Sequence, residues 1–202
     1  MSPIIHPDKH AAILDAAQKR FARFGLGKVT MEEIAADLGM SKAALYYYFK
    51  TKEEIFRKVI SREQEAFIAL VETINAQKCS SAEKLMHYFE QHLSFFNELL
   101  NLKLVSVQAS DTIQPIMHDL FKEFSKKEIA LLETVLREGK QQGEFAVESA
   151  EKTAELLWRL LFGLRLRFMK SFTNSAFGEA DIQSFAEEIK LFSKIFLKGI
   201  SR

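Results

Sequence analysis

Lys42, Tyr46, Tyr47, Tyr48, Lys50 and Lys52 crowd into eleven consecutive positions, and no acid stands between Met40 and Lys52. Ammonium groups and flat, hydroxyl-tipped rings suit contact with sugar-phosphate backbone and base edges. The chemistry they offer is non-covalent recognition of a polyanion. Covalent chemistry finds no comparable cluster. His87 and His92 are five apart, off one helical face, and His118 has no ligating residue four positions on. No H-E-x-x-H pattern or cysteine pair points to zinc, and there is no G-x-S-x-G elbow. Cys79 lies among serines with no histidine nearby in sequence. Gly25-Leu26-Gly27-Lys28 has the look of a phosphate loop, but Ala22 and Val29 occupy positions that motif gives to glycine and to Ser or Thr. No metal, cofactor or catalytic residue is expected. An enzyme reading would need a buried acid or base pair in the larger part of the chain.

The elements that must position the basic, tyrosine-rich run are short. Met31, Ile34, Ala35 and Leu38 share one face of a helix that Thr30 can cap, with Glu33 at capping-box spacing. Gly39 fits the left-handed position that stops this helix. Ser41 caps a second helix with Leu45 and Phe49 inward and Lys42, Ala43, Ala44, Tyr46, Tyr47 and Tyr48 outward. This is a helix-turn-helix.

The run Val29–Phe56, VTMEEIAADLGMSKAALYYYFKTKEEIF, resembles the DNA-binding domain of the TetR family of bacterial transcriptional regulators. Thr30, Ile34-Ala35, Leu38-Gly39, Ser41, Leu45-Tyr46-Tyr47, Phe49 and Lys52-Glu53 carry the likeness. Ala43 stands where glycine is frequent in that family and Tyr48 where histidine is frequent. The resemblance implies a three-helix reader followed by a larger helical domain for ligand binding and dimerisation. The expected DNA-facing set is Thr30, Ser41, Lys42, Ala43, Ala44, Tyr46, Tyr47, Tyr48 and Lys52. Lys42 and the tyrosines would hold the backbone, with Lys42 the best base-edge donor, and Ala43 and Ala44 could meet thymine methyls. Lys52, at a helix start, would sit beside a phosphate as its counterpart does in the family. No Arg, Asn or Gln lies on the second helix, so direct readout should be sparse.

Composition agrees with this reading. Glycine is sparse and the three prolines are Pro3, Pro7 and Pro115, which favours long helices. A single cysteine excludes an internal disulfide framework and fits a reducing cytoplasm; no signal peptide or membrane span is expected. Residues 1–60 hold ten Lys/Arg against seven Asp/Glu, net +3, leaving eighteen against twenty, net −2, for the rest of the +1 chain. The basic excess coincides with the motif.

Periodicity predicts a first helix over Asp8–Phe24, a connector helix over residues 51–76, and helices over Ala82–Leu100, Asn101–Ser110, Ile116–Gln142, Ser149–Phe172 and Ala180–Gly199, with a break at Asp111–Pro115. The fold class is all-α, with a reader domain at 1–50 and a ligand-binding and dimerisation domain at 51–202. Fourteen of the eighteen phenylalanines lie after residue 60. A pocket walled by Phe89, Phe96, Met117, Phe121, Phe124 and Trp158, with His92 and Gln108 as polar anchors, would suit an apolar or aromatic effector. The last two helices are too apolar for a monomer, so a homodimer is expected through Leu157, Leu161, Leu164, Phe168, Phe185, Ile189, Phe192 and Phe196. Two readers related by a two-fold axis would read an inverted repeat in duplex DNA. The reading is a cytoplasmic dimeric repressor released by an apolar or aromatic small molecule. The alternative is a helical small-molecule-binding or adaptor dimer without DNA binding.

Overall fold

The computed structural model describes residues 7–99, 113–171 and 179–202, with side chains at 9–94, 118–165, 167, 181 and 183–202. Eight helices run in order among them: α1 (Pro7–Phe24), α2 (Met31–Asp37), α3 (Lys42–Tyr48), α4 (Lys52–Asn75), α5 (Ser81–Leu99), α6 (Ile113–Gln141), α7 (Ala150–Ser171) and α8 (Glu179–Ile200). The fold is all-α, with an N-terminal helix-turn-helix and a larger helical domain. Phe145 and Ser201 form an isolated antiparallel bridge. The helix expected at Asn101–Ser110 lies outside the described residues. The break expected through Pro115 is overturned at its end, where α6 already begins at Ile113. Pro115 is tolerated there because first-turn amides have no intrahelical partner and a proline has none to lose.

Two compact units emerge, Met1–Glu65 with Leu99–Phe121 and Ala66–Glu98 with Lys122–Arg202, so α4 and α6 contribute to both. In the first, Ile13, Ala17 and Phe21 descend α1 at four-residue spacing and are fully buried, as are Ile34 of α2, Leu45 of α3, and Ile55, Phe56 and Val59 of α4. Phe21 meets Phe56 edge to face, with centroids 5.8 Å apart. Each of these side chains other than Ala17 contributes about 1.5–3 kcal/mol by burial. The start of α4 is therefore part of the reader's core.

The second unit packs Phe67, Val71 and Ile74 of α4, Leu85, Tyr88 and Phe89 of α5, Phe124, Leu132 and Leu136 of α6, Leu157 and Leu161 of α7, and Phe185 and Ile189 of α8. α6 ends at Gly143, whose φ of 79° is a left-handed conformation that an L side chain resists. The next residue, Glu144, turns its carboxylate onto the amides of Ser81 and Ala82, both at 3.1 Å, and so caps α5. Gly139 is required for a different reason, since a Cβ there would lie 2.3 Å from the ring of the buried Phe145.

Candidate functional site

The reader's local geometry follows from its caps. Thr30 accepts from the Glu33 amide at 3.3 Å, and Glu33 returns its carboxylate to the Thr30 amide at 2.8 Å, which completes the capping box. The Thr30 amide and hydroxyl hold the Glu33 carboxyl below its usual range. α2 stops at Gly39, φ 60°, where the Gly39 amide reaches Ala36 O at 3.1 Å and the Met40 amide reaches Ala35 O at 2.9 Å. This is the Schellman pattern, which turns the chain sharply. Ser41 then caps α3 by accepting from the Ala44 amide at 3.1 Å. Leu45 and Phe49 anchor α3 in the core at 0% and 1% exposure.

That anchoring decides what α3 turns outward. Lys42, Ala43 and Tyr47 are exposed, whereas Ala44, Tyr46 and Tyr48 are half-buried. Tyr46 and Tyr48 pack against the reader's core, so the three tyrosines are not equivalent. Tyr47 stands 44% exposed and meets the ring of Tyr48 edge to face. Lys42 crosses to α2 and pairs with Glu32, and its ammonium lies 5.7 Å from the centroid of Tyr46. The hydrogen bond between them pulls the Glu32 carboxyl down and the Lys42 ammonium up. The acid-free window from Met40 to Lys52 therefore omits an acid that folding delivers from ten residues upstream.

Lys52, half-buried, donates its ammonium to the carbonyls of Leu26 at 3.0 Å, Val29 at 3.0 Å and Gly27 at 3.4 Å. Around it, Thr51 caps α4 through the Glu54 amide at 3.1 Å, while Glu54 accepts from the Lys50 amide at 2.8 Å.

The second unit brings together Phe89, His92, Phe124 and Trp158 from the expected pocket. Phe67 meets two of them, with centroids 5.8 Å from His92 and 5.9 Å from Phe124. The side chains of Phe96 and Met117, and all of Gln108, lie outside the described residues; Phe121, half-buried, belongs to the first unit. At the centre is a group sequence reasoning missed. Glu128, 0% exposed, accepts from the Tyr88 hydroxyl at 2.7 Å and from the Trp158 indole N–H at 2.6 Å. His92 Nε2 is 3.7 Å from the same carboxylate. This contact is not an ion pair, because burial, helped by Arg165, lowers the His92 pKa to about 3. Burial pushes the Glu128 carboxyl up, against Tyr88, Arg165 and Trp158, which pull it down. Arg165 is itself buried, with its guanidinium 5.2 Å from the Phe162 centroid, and Phe162 stacks on Trp158 at 4.9 Å.

An acid and a base are thus buried together, but both Glu128 oxygens already accept hydrogen bonds, from Tyr88 and from Trp158. The sequence did hold a signal for this. Phe124, Glu128 and Leu132 recur every four residues, as do Leu157, Leu161 and Arg165, so both charges lie on apolar stripes. Among the described residues, no group of three His, Cys, Asp or Glu could hold a metal ion.

The residues expected at a dimer interface fall in different settings within the chain. Leu157, Leu161, Phe185 and Ile189 are buried within the chain's own core. Phe192 and Phe196 turn their rings to Phe89 at 6.1 and 6.2 Å, Leu164 is half-buried, and the Phe168 side chain lies outside the described set. One position round, Leu156 and Leu160 on α7 and Leu191 and Ile195 on α8 are 44–63% exposed.

A capped helix-turn-helix on an apolar core, followed by a larger helical unit, defines a helix-turn-helix regulator of transcription. The chain belongs to the TetR family: the model for bacterial regulatory proteins of the tetR family matches residues 13–59, and the model for the QacR-like C-terminal region matches residues 71–202. It is 25% identical over 195 residues to the HTH-type transcriptional regulator QacR of Staphylococcus aureus, spanning 94% of this chain and 97% of that one. It is 28% identical over 136 residues to the fatty acid metabolism regulator protein of Bacillus subtilis, covering 67% of this chain and 70% of that one. A solved transcriptional regulator from Cytophaga hutchinsonii superposes with a TM-score of 0.85 at 34% identity, over 96% of this chain and 99% of that one. The family consists of transcriptional regulators, not enzymes. Among the described residues no helix is long and apolar enough to cross a membrane.

Proposed function

We propose that the chain is a homodimeric, sequence-specific DNA-binding repressor, released from an inverted-repeat operator by an apolar or aromatic small molecule. The observation that carries this reading is the outward row of α3. Lys42, Ala43 and Tyr47 stand exposed on a short helix whose direction is fixed by a Schellman turn before it and by buried Leu45 and Phe49. The row suits a major groove, with Tyr47 against the backbone and Lys42 reaching a base edge or a phosphate once Glu32 lets it go. Thr30 and Ser41 serve through their caps, which aim the motif.

Dimerisation uses the exposed rows Leu156, Leu160, Leu191 and Ile195, whose copies would cover one another about a two-fold axis. The effector acts in the second unit, among Phe67, Phe89, His92, Phe124 and Trp158, where apolar rings surround a few polar groups. It shifts the population only through its difference in affinity for two states of the regulator, and α4 carries that shift to the reader. Repression as the sign of regulation follows the habit of the family.

The test is selection from a pool of random duplexes by the purified protein, repeated with Tyr47→Ala. An enriched inverted repeat that disappears with the substitution supports the reading. A folded wild-type dimer that retains no duplex at low salt would leave the helical adaptor in its place.

A further inference from the structure

We infer that Lys28, in the turn between α1 and α2, is a phosphate-contact residue of the DNA reader that lies outside the helix-turn-helix itself. This rests on the DNA-binding reading above. The turn presents that one side chain. Gly25, with φ 78°, reverses the chain after α1, and the Lys28 amide closes the turn on Gly25 O at 3.3 Å. Leu26 and Val29 are buried at 2% and 1% exposure, while Gly27 and Lys28 between them are exposed. Two apolar anchors thus fix the backbone on either side of the ammonium, so ordering it on a phosphate costs the freedom of one side chain and not of a loop.

The turn also reaches the neighbours of both ends of α3. It leads directly into Thr30, the cap of α2, and the first turn of α2 meets the first residue of α3, where Glu32 pairs with Lys42. Its carbonyls at Leu26, Gly27 and Val29 receive the ammonium of Lys52, which opens α4 just after α3 has ended. The turn is thereby held along the flank of α3. A helix laid in a major groove has a phosphate strand on each flank, and a cation fixed alongside it meets one of them. Lys52 adds its charge from the same stretch, so a phosphate there meets two ammonium groups. The acids of α2 are already engaged, Glu32 by Lys42, Glu33 by Thr30 and Arg20, and Asp37 by Arg20. Among the described residues Lys28 forms no ion pair, so unlike Lys42 it has no carboxylate to give up.

The experiment compares wild type, Lys28→Gln, Lys28→Arg and, as a control, Lys78→Gln, which removes an exposed charge from the loop after α4. Three quantities are read: thermal unfolding, affinity against salt for a duplex that the wild type enriches from the random pool, and affinity for copies of that duplex carrying one neutral methylphosphonate at each position in turn. For Lys28→Gln the slope of log K against log salt should fall in magnitude by about 0.9 per subunit, with binding about tenfold weaker per subunit at about 0.1 M salt and the melting temperature unchanged. Lys28→Arg and Lys78→Gln should keep the wild-type slope. At one position the methylphosphonate should weaken wild-type binding and have no further effect on Lys28→Gln, a coupling that a direct contact produces and a general field does not. The inference is overturned if the Lys28→Gln slope equals that of wild type, if Lys78→Gln lowers the slope as much, or if no position couples. Weaker binding with a lower melting temperature at constant slope also overturns it, since the residue would then be structural. Should Lys28→Gln not fold, Lys28→Met faces the same criteria. If the wild type enriches no duplex, the DNA-binding reading falls and the inference with it; an enriched duplex with an unaltered Lys28→Gln slope sinks the inference alone.

Discussion

The two units place their charges in opposite ways. In the reader, buried side chains are apolar, and the charged groups form exposed pairs at its rim: Lys42 with Glu32, and Arg20 with Asp37 at 2.7 Å and Glu33 at 3.5 Å. In the second unit Glu128, Arg165 and His92 lie at the centre at 0%, 4% and 6% exposure. A surface pair can be lost at little cost, since water replaces each partner. A buried group that loses its partner keeps its full desolvation penalty. The reader is accordingly a body with an apolar core and a replaceable surface, and the second unit is one whose packing depends on the state of a few polar atoms. Such dependence is what an effector can use.

The sharpest way to break this contrast is Glu128→Ala. It strands the Tyr88 hydroxyl and the Trp158 indole N–H and removes a carboxylate whose charge favours the buried Arg165 cation, and should cost about 3–5 kcal/mol, read by urea unfolding at pH 7. Asp37→Asn, which breaks the Arg20 pair at the reader's rim, should cost far less in the same assay. Equal losses would mean that burial does not separate the two regions.

A middle-sized effect tests the same centre by protonation. The His92 pKa is about 3 in the folded chain against 6.5 unfolded, so the folded state binds fewer protons between those values. Its contribution is fully present above pH 6.5 and is lost as pH falls toward 3, with about 2 kcal/mol gone between pH 7 and pH 5. Glu128 works in the other direction, because a raised carboxyl contributes stability at low pH that is lost as pH rises through its folded value. His92→Asn should therefore remove the acid-side loss and leave the opposing slope of Glu128. An unchanged pH profile in the variant would mean that His92 is not held neutral by burial.

The same contrast explains what the sequence could and could not reveal. The reader was legible because its signals are local: Thr30 with Glu33, Gly39, and Ser41 with Ala44 lie within three or four positions of what they bind, and the four-residue spacing of α1 points one way. What escaped there was long-range, namely the α1–α2 carbonyls that claim Lys52 from more than twenty residues away and the α2 acid that claims Lys42. In the second unit periodicity could not choose a face. α7 is apolar round most of its circumference, so Leu157 and Leu156 looked alike until packing buried one at 0% and left the other 55% exposed. Glu128 follows two lysines, so its local sequence gives no sign of burial, although its register places it on the buried stripe.

The smallest effect on stability should carry an informative effect on function. Glu32→Gln removes the acid that pairs with Lys42 at the outer edge of the reader. Both side chains are more than half exposed, at 51% and 58%, so stability should stay as in the wild type. Duplex affinity should nonetheless rise, for two reasons of the same sign. The substitution deletes a negative charge that opposes DNA, and it frees an ammonium that otherwise must exchange a carboxylate for a phosphate. The gain should be a few-fold at low salt and shrink as salt rises, since both terms are screened over about 10 Å at 0.1 M. Equal affinity in wild type and variant at every salt concentration would place Lys42 away from the DNA and leave Tyr47 to carry the contact at this edge of α3.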